Sequence, residues 1–243
     1  ITVPKELVWP TLSIILFLGS LGRRDALPFY LASMAFFVLG LLSKELAIIL
    51  PALLLCVILF AARSDASIGI KAALKKTVPF FILLLAYFVL RKTVLNFQGP
   101  TNIAPPSLYI RLCTTAEAFV RLILFLIYPK EIHIEKSLPF SAGLLQASTA
   151  VSLAVLGAIA IFTFAVRRRS AMFTFGCVWF FVSLIPMANI MPINATIADH
   201  WLYLPCAGFF VACIGGIHDL IEGSGLSDKL FYKRASVLFF GCI

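Results

Sequence analysis

The chain has 243 residues, 61% of them hydrophobic and 13% charged, with a mean hydropathy of +1.03. Water-soluble domains carry roughly a quarter charged residues, so an ordinary soluble fold is excluded. The net charge of +9 comes from basic residues in short loops, with no basic face interleaved with aromatics. That pattern sets topology and meets anionic lipid, and it excludes nucleic acid as a partner.

Repeated apolar runs approaching ~20 residues match the hydrocarbon thickness of a bilayer. They predict an all-α, polytopic transmembrane helical bundle of about seven to nine membrane segments. In chain order the segments are 7–22, 26–42, 46–62, 77–90, 108–128, 143–166, 170–186, 201–218 and a run from 235 onward. Pro51 is expected to kink the third, whereas Pro28, Pro79 and Pro205 are expected in first turns, where a missing N–H costs little. The six cysteines form no C-x-x-C pair and read as small buried hydrophobes.

If every segment spans, the basic loops "GRRD" and "RSDASIGIKAALKK" lie opposite "RRR" (Arg167–Arg169) and "DKLFYKR". This contradicts the tendency of basic loops to stay cytoplasmic. Segment 108–128, "LYIRLCTTAEAFVRLILFLIY", can break the parity. Arg111, Thr114, Glu117 and Arg121 recur at spacings of three and four, a polar stripe along one helical face. Such a helix lies in the membrane interface or faces a water-filled cavity, and a hairpin satisfies parity equally well. Twelve basic residues then share the cytoplasmic side and eight the other.

With that topology Lys44, Glu45, Asp199 and His200 face the non-cytoplasmic side, as do the loops "RKTVLNFQGPTNIAPPSLYIR" and "YPKEIHIEKS". Lys44 and Glu45 sit in "LLSKELAIILP" with almost no linker, either as helix-end caps that reach water or as groups that meet a lipid phosphate. In "ADHWLYLP" the acid suits a helix start and Trp201 and Tyr203 suit the interfacial aromatic belt. His200 has no such explanation. Asn194-Ala195-Thr196 fits a glycosylation acceptor. Glu131, His133 and Glu135 are flanked by Lys130 and Lys136, which oppose a cation, so that loop reads as solvated or substrate-lining, and no metal site is predicted.

The order of "LGLLSKELAIILPALLL", "VPFFILLLAYFVLRKTVL", "RLILFLIYP" and "FGCVWFFVSLIPMANIMPINATIADHWLYLPCAGFF" resembles the membrane region of the transmembrane and tetratricopeptide-repeat O-mannosyltransferases and their bacterial relatives, of the GT-C class. The resemblance covers roughly residues 20–215. It implies transfer of a sugar from a polyprenyl- or dolichyl-phosphate donor to a protein or glycan acceptor, on the non-cytoplasmic face of a bacterial inner membrane or the endoplasmic reticulum. Shared sidedness together with this motif match points to Lys44, Arg111 and His200 for the lipid phosphate, Asp199 for positioning His200 or the acceptor, and Glu45 and Tyr203 for support. No cofactor is implied beyond the donor, and a divalent metal is left open. The chain departs from the family where Asp199 is followed by His200 instead of Arg.

Residues 1–243 are expected to form a single transmembrane domain within a longer chain. The main catalytic base would then precede residue 1 and a soluble repeat domain would follow residue 243. The competing expectation is a non-catalytic GT-C-derived scaffold that docks membrane complex partners. A transporter ranks last, because apart from 108–128 the spans are almost free of charge.

Overall fold

The computed structural model describes residues 5–21, 26–64, 70–95, 106–129, 139–190 and 197–223. Among them every regular element is helical: α1 (Lys5–Gly19), α2 (Ala26–Ser43), α3 (Leu50–Ser64), α4 (Ile70–Leu90), α5 (Leu108–Ile127), α6 (Ala147–Val166), α7 (Ala171–Leu184) and α8 (Tyr203–Gly223). Among the described residues five apolar stretches are long enough to cross a bilayer: Ala26–Ser43, Leu46–Arg63, Ala73–Thr93, Ala147–Val166 and Tyr203–Ile221. Val8–Gly19 and Ala171–Met187 are apolar but shorter. By length and composition this is an integral membrane protein of the helical type. The apolar run from 235 lies outside the described residues.

The chain divides into two compact units, Ile1–Phe97 and Gln98–Ile243. In the first, Phe17, Phe37, Leu50, Leu54, Ile58 and Phe80 form a core closed to solvent. Phe80 is its hub, with ring centroids 5.6 Å from Phe17, 5.6 Å from Phe37 and 6.0 Å from Tyr30. Polar groups inside this unit bond across helices. Ser13 Oγ donates to Ser33 O and Ser33 Oγ to Ser13 O, each at 2.7 Å, so α1 and α2 are joined reciprocally.

Two proline expectations are corrected. Pro79 lies mid-helix, because α4 begins at Ile70 instead of near residue 77. Lys71, Lys75 and Lys76 thus belong to the helix and not to a loop. Lys76 has a structural task there: its Nζ donates to Ser20 O at 2.9 Å, satisfying a carbonyl just past the end of α1. Pro51 stands in the first turn of α3, after a 3₁₀ segment Glu45–Ile49. The change from 3₁₀ to α precedes the proline, so α3 has no proline inside it beyond its opening turn.

In the second unit α7 and α8 pack backbone to backbone. A Cβ on Gly176 would lie 2.3 Å from Ala212 N and 2.5 Å from Gly208 O. One on Gly208 would lie 2.6 Å from Phe180 N, and one on Gly215 2.6 Å from Phe173 N. Small residues admit this approach, the usual way for helices to associate where lipid competes for apolar contacts.

Candidate functional site

Lys44 and Glu45 mark the turn between α2 and the 3₁₀ segment in the first unit. Lys44 is extended (φ −158°), its N–H bonds Gly40 O at 2.9 Å and its carbonyl receives Ala47 N–H at 3.2 Å. The linker-free turn expected from "SKE" is present, and the Lys44 side chain is half-buried. The side chain of Glu45 lies outside the described part of the structure.

The other predicted site residues belong to the second unit. Arg111 lies in the first turn of α5, which Ser107 caps by accepting Ile110 N–H at 3.4 Å. Its guanidinium is fixed by three backbone carbonyls. Nη1 donates to Asn189 O at 2.8 Å and to Ile190 O at 2.9 Å, and Nε donates to Pro106 O at 3.2 Å. These acceptors orient the fork without neutralising it, and among the described residues no acid pairs with it. Thr115, one turn on, donates to Ala188 O at 3.0 Å. The first turns of α5 therefore clasp the chain as it leaves α7. Asn189, at that exit, is buried and holds a left-handed φ of 53°, a conformation that asparagine tolerates better than most residues.

Asp199 and His200 open the 3₁₀ segment Asp199–Leu202, which leads directly into α8 at Tyr203. Their side chains lie outside the described part. Tyr203 is 48% exposed, and Trp201 is half-buried. Trp179 of α7 donates from its indole to Leu204 O at 3.0 Å, tying the start of α8 to the last turns of α7. The Arg111 clasp and the Asp199–Tyr203 segment thus share one end of the α7–α8 pair. Lys44 and Glu45 are in the other unit. Lys130–Lys136 and Asn194 lie outside the described residues.

The middle of the polar stripe on α5 is covered by protein. Thr114 and Glu117 are 1% and 7% exposed, whereas Arg111 is half-buried and Arg121 is exposed. Glu117 Oε1 accepts Ser148 Oγ at 3.0 Å and Thr149 Oγ1 at 2.5 Å, both from the first turn of α6. A carboxylate there also meets the positive end of the α6 dipole. Glu117 was visible in the sequence only as part of a stripe. The hydroxyls that bond it come 31 and 32 positions later.

Among the described residues no group of three or more His, Cys, Asp or Glu could hold a metal. The five cysteines among the described residues are free thiols, of which Cys113 is buried and Cys213 exposed. His218 and Asp219 also lie together, with Nδ1 3.6 Å from Oδ1. They lie near the end of α8, away from the clasp. Comparison with protein families, curated proteins and solved structures found no match to this chain.

Proposed function

We propose that the protein is a GT-C-type glycosyltransferase that takes its sugar from a polyprenyl- or dolichyl-phosphate donor, with O-mannosyl transfer as the favoured case, on the non-cytoplasmic face of the membrane. The observation that carries this reading is Arg111. It is a permanently charged fork, pre-oriented by three carbonyls, with no acid to neutralise it among the described residues. Nη2 keeps both its N–H groups for a ligand, and planar guanidinium is well matched to phosphate. It sits at the end of the α7–α8 pair where the Asp199–Tyr203 segment begins.

In this reading the oriented cation stabilises charge on the departing lipid phosphate. His200 adds a cationic or donor group, and Asp199 positions His200 or the acceptor. A carboxylate base takes the proton of the acceptor hydroxyl as its oxygen bonds to the anomeric carbon. Helix α5, with Arg111, Glu117 and Arg121 in one segment, lies in the interface instead of crossing the membrane.

The test is release of polyprenyl phosphate from radiolabelled lipid-phosphate sugars by the reconstituted protein. Turnover is expected to fall about a hundredfold in Arg111→Gln, the scale for losing one charge-stabilising donor. Folding of the variant is checked separately by detergent-induced unfolding. Silence of the folded wild type across a broad donor panel overturns the reading. The second reading, a non-catalytic scaffold, is favoured by Asp199-His200 in place of acid-Arg and by the clasp that gives Arg111 a purely structural use.

A further inference from the structure

The stretch before α6, residues 139–146 ("PFSAGLLQ"), carries no charge. Five of its seven backbone N–H groups, all but those of Phe140 and Leu145, are met from within the protein. Ser141 N–H donates to Thr114 Oγ1 at 3.0 Å, Ala142 N–H to Gln146 Oε1 at 2.6 Å, Gly143 N–H to Ser141 Oγ at 3.1 Å and Leu144 N–H to Tyr109 OH at 2.8 Å. Gln146 N–H closes the turn on Gly143 O at 3.1 Å. Gly143 takes a φ of 128°, and a Cβ there would meet Tyr109 OH at 3.0 Å. The Ser141 hydroxyl lies 2.6 Å from Thr149 Oγ1, which itself donates to buried Glu117. The loop is therefore built rigidly onto α5 and the first turn of α6.

That rigid frame turns its apolar side chains outward. Phe140 and Leu144 are about half exposed, and Leu145 is 101% exposed. Leu108 and Leu112 are exposed on the same turns of α5 that hold the loop, and Val151 on the next turn of α6. A water-exposed loop has no need to satisfy its N–H groups internally, since water does so. A loop at the edge of the hydrocarbon gains by meeting most of them internally, as five of the seven are met here. The surface also runs without a charged residue into α6, one of the five segments long and apolar enough to cross a bilayer.

We infer that loop 139–146 is a lipid-contacting shoulder, with Phe140, Leu144 and Leu145 inserted at the acyl edge of the leaflet where α6 enters the membrane. This holds whether or not the protein transfers sugar. It sets the depth of the first turns of α5, and with them the clasp at Arg111, close to lipid headgroups.

The experiment is spin-label depth measurement on Leu145→Cys and Phe140→Cys, in the protein with its native cysteines replaced, reconstituted in phosphatidylcholine vesicles. Val151→Cys and Arg168→Cys provide the hydrocarbon and aqueous references. Labels at 145 and 140 are expected to collide with oxygen severalfold more than the Arg168 label does, and with a water-soluble nickel chelate severalfold less. Ready access to the chelate overturns the inference by placing the loop in water. Shielding from both quenchers overturns it in favour of a protein partner or a second copy.

Discussion

The α7–α8 pair and the α5–α6 junction are both helix contacts of the second unit, held by opposite means. Along α7–α8 the backbones themselves touch, through Gly176, Gly208 and Gly215, and the Trp179 indole donates across to Leu204 O. At α5–α6 the contact is made by side-chain oxygens gathered at the first turn of α6, with Glu117, Thr149 and Ser141 in one chain. Lipid tails match leucine in apolarity, so helices in a bilayer associate by close approach or by polar bonds. One junction uses the first route over its whole length. The other uses the second at a single point, which also frames the loop beside it.

The largest effect should come from breaking the close approach. In Gly176→Ala the new methyl would stand 2.3 Å from Ala212 N, a backbone atom that no rotamer change can move. The helices must separate, and a loss of about 3 kcal/mol or more is expected in detergent-induced unfolding. Gly157→Ala is its control. An added Cβ there meets nothing within 4 Å, so the change should be at most about 1 kcal/mol, in the stabilising direction. Equal losses at the two positions would show that backbone contact does not hold α7 to α8.

The polar junction should break at Glu117. Removing the carboxylate in Glu117→Ala leaves the buried Thr149 hydroxyl beside a gap and takes the acceptor from Ser148, with an expected loss of about 2–4 kcal/mol. Glu117→Gln keeps an oxygen that accepts from Ser148 and Thr149, and should cost about 1 kcal/mol. Hydrogen exchange sharpens the contrast. Amides of residues 141–149 should lose protection in the alanine variant while those of α7 and α8 keep theirs. Unchanged protection at 141–149 would leave the junction without its proposed keystone.

The contrast also explains what could be read in the sequence. Apolar run length located the helices, because hydrophobic span is a local property: 26–42 became Ala26–Ser43, and 108–128 became Leu108–Ile127. The start of α4 was missed because Lys71, Lys75 and Lys76 have the composition of a loop, while the carbonyl that receives Lys76 is 56 positions away. The stripe on α5 gave the correct spacing but could not say what would cover it. Covering Glu117 required Ser148 and Thr149, and fixing Arg111 required Asn189 and Ile190, 78 and 79 positions on. Each glycine of α7–α8 was visible, but not the backbone it faces. The tight Lys44–Glu45 turn was legible because it lies within one short stretch.

The smallest effect lies in the first unit, where α1 and α2 combine both strategies. Ser13 and Ser33 are fully buried, and each hydroxyl donates to the other serine's carbonyl at 2.7 Å. Their oxygens lie 3.1 Å apart, but both protons are already committed to carbonyls, so this contact adds little attraction. Each acceptor is backbone and survives replacement of its own side chain. Ser13→Ala and Ser33→Ala should therefore cost about 0.6 kcal/mol apiece, the typical cross-helix hydrogen bond in a membrane protein. Their double variant should be additive within about 0.5 kcal/mol in unfolding measurements. Coupling well above that would mean that losing one bond lets the helices shift and drags the other apart. The serine pair would then be a single joint like Glu117, and not two independent bonds on a close-packed pair.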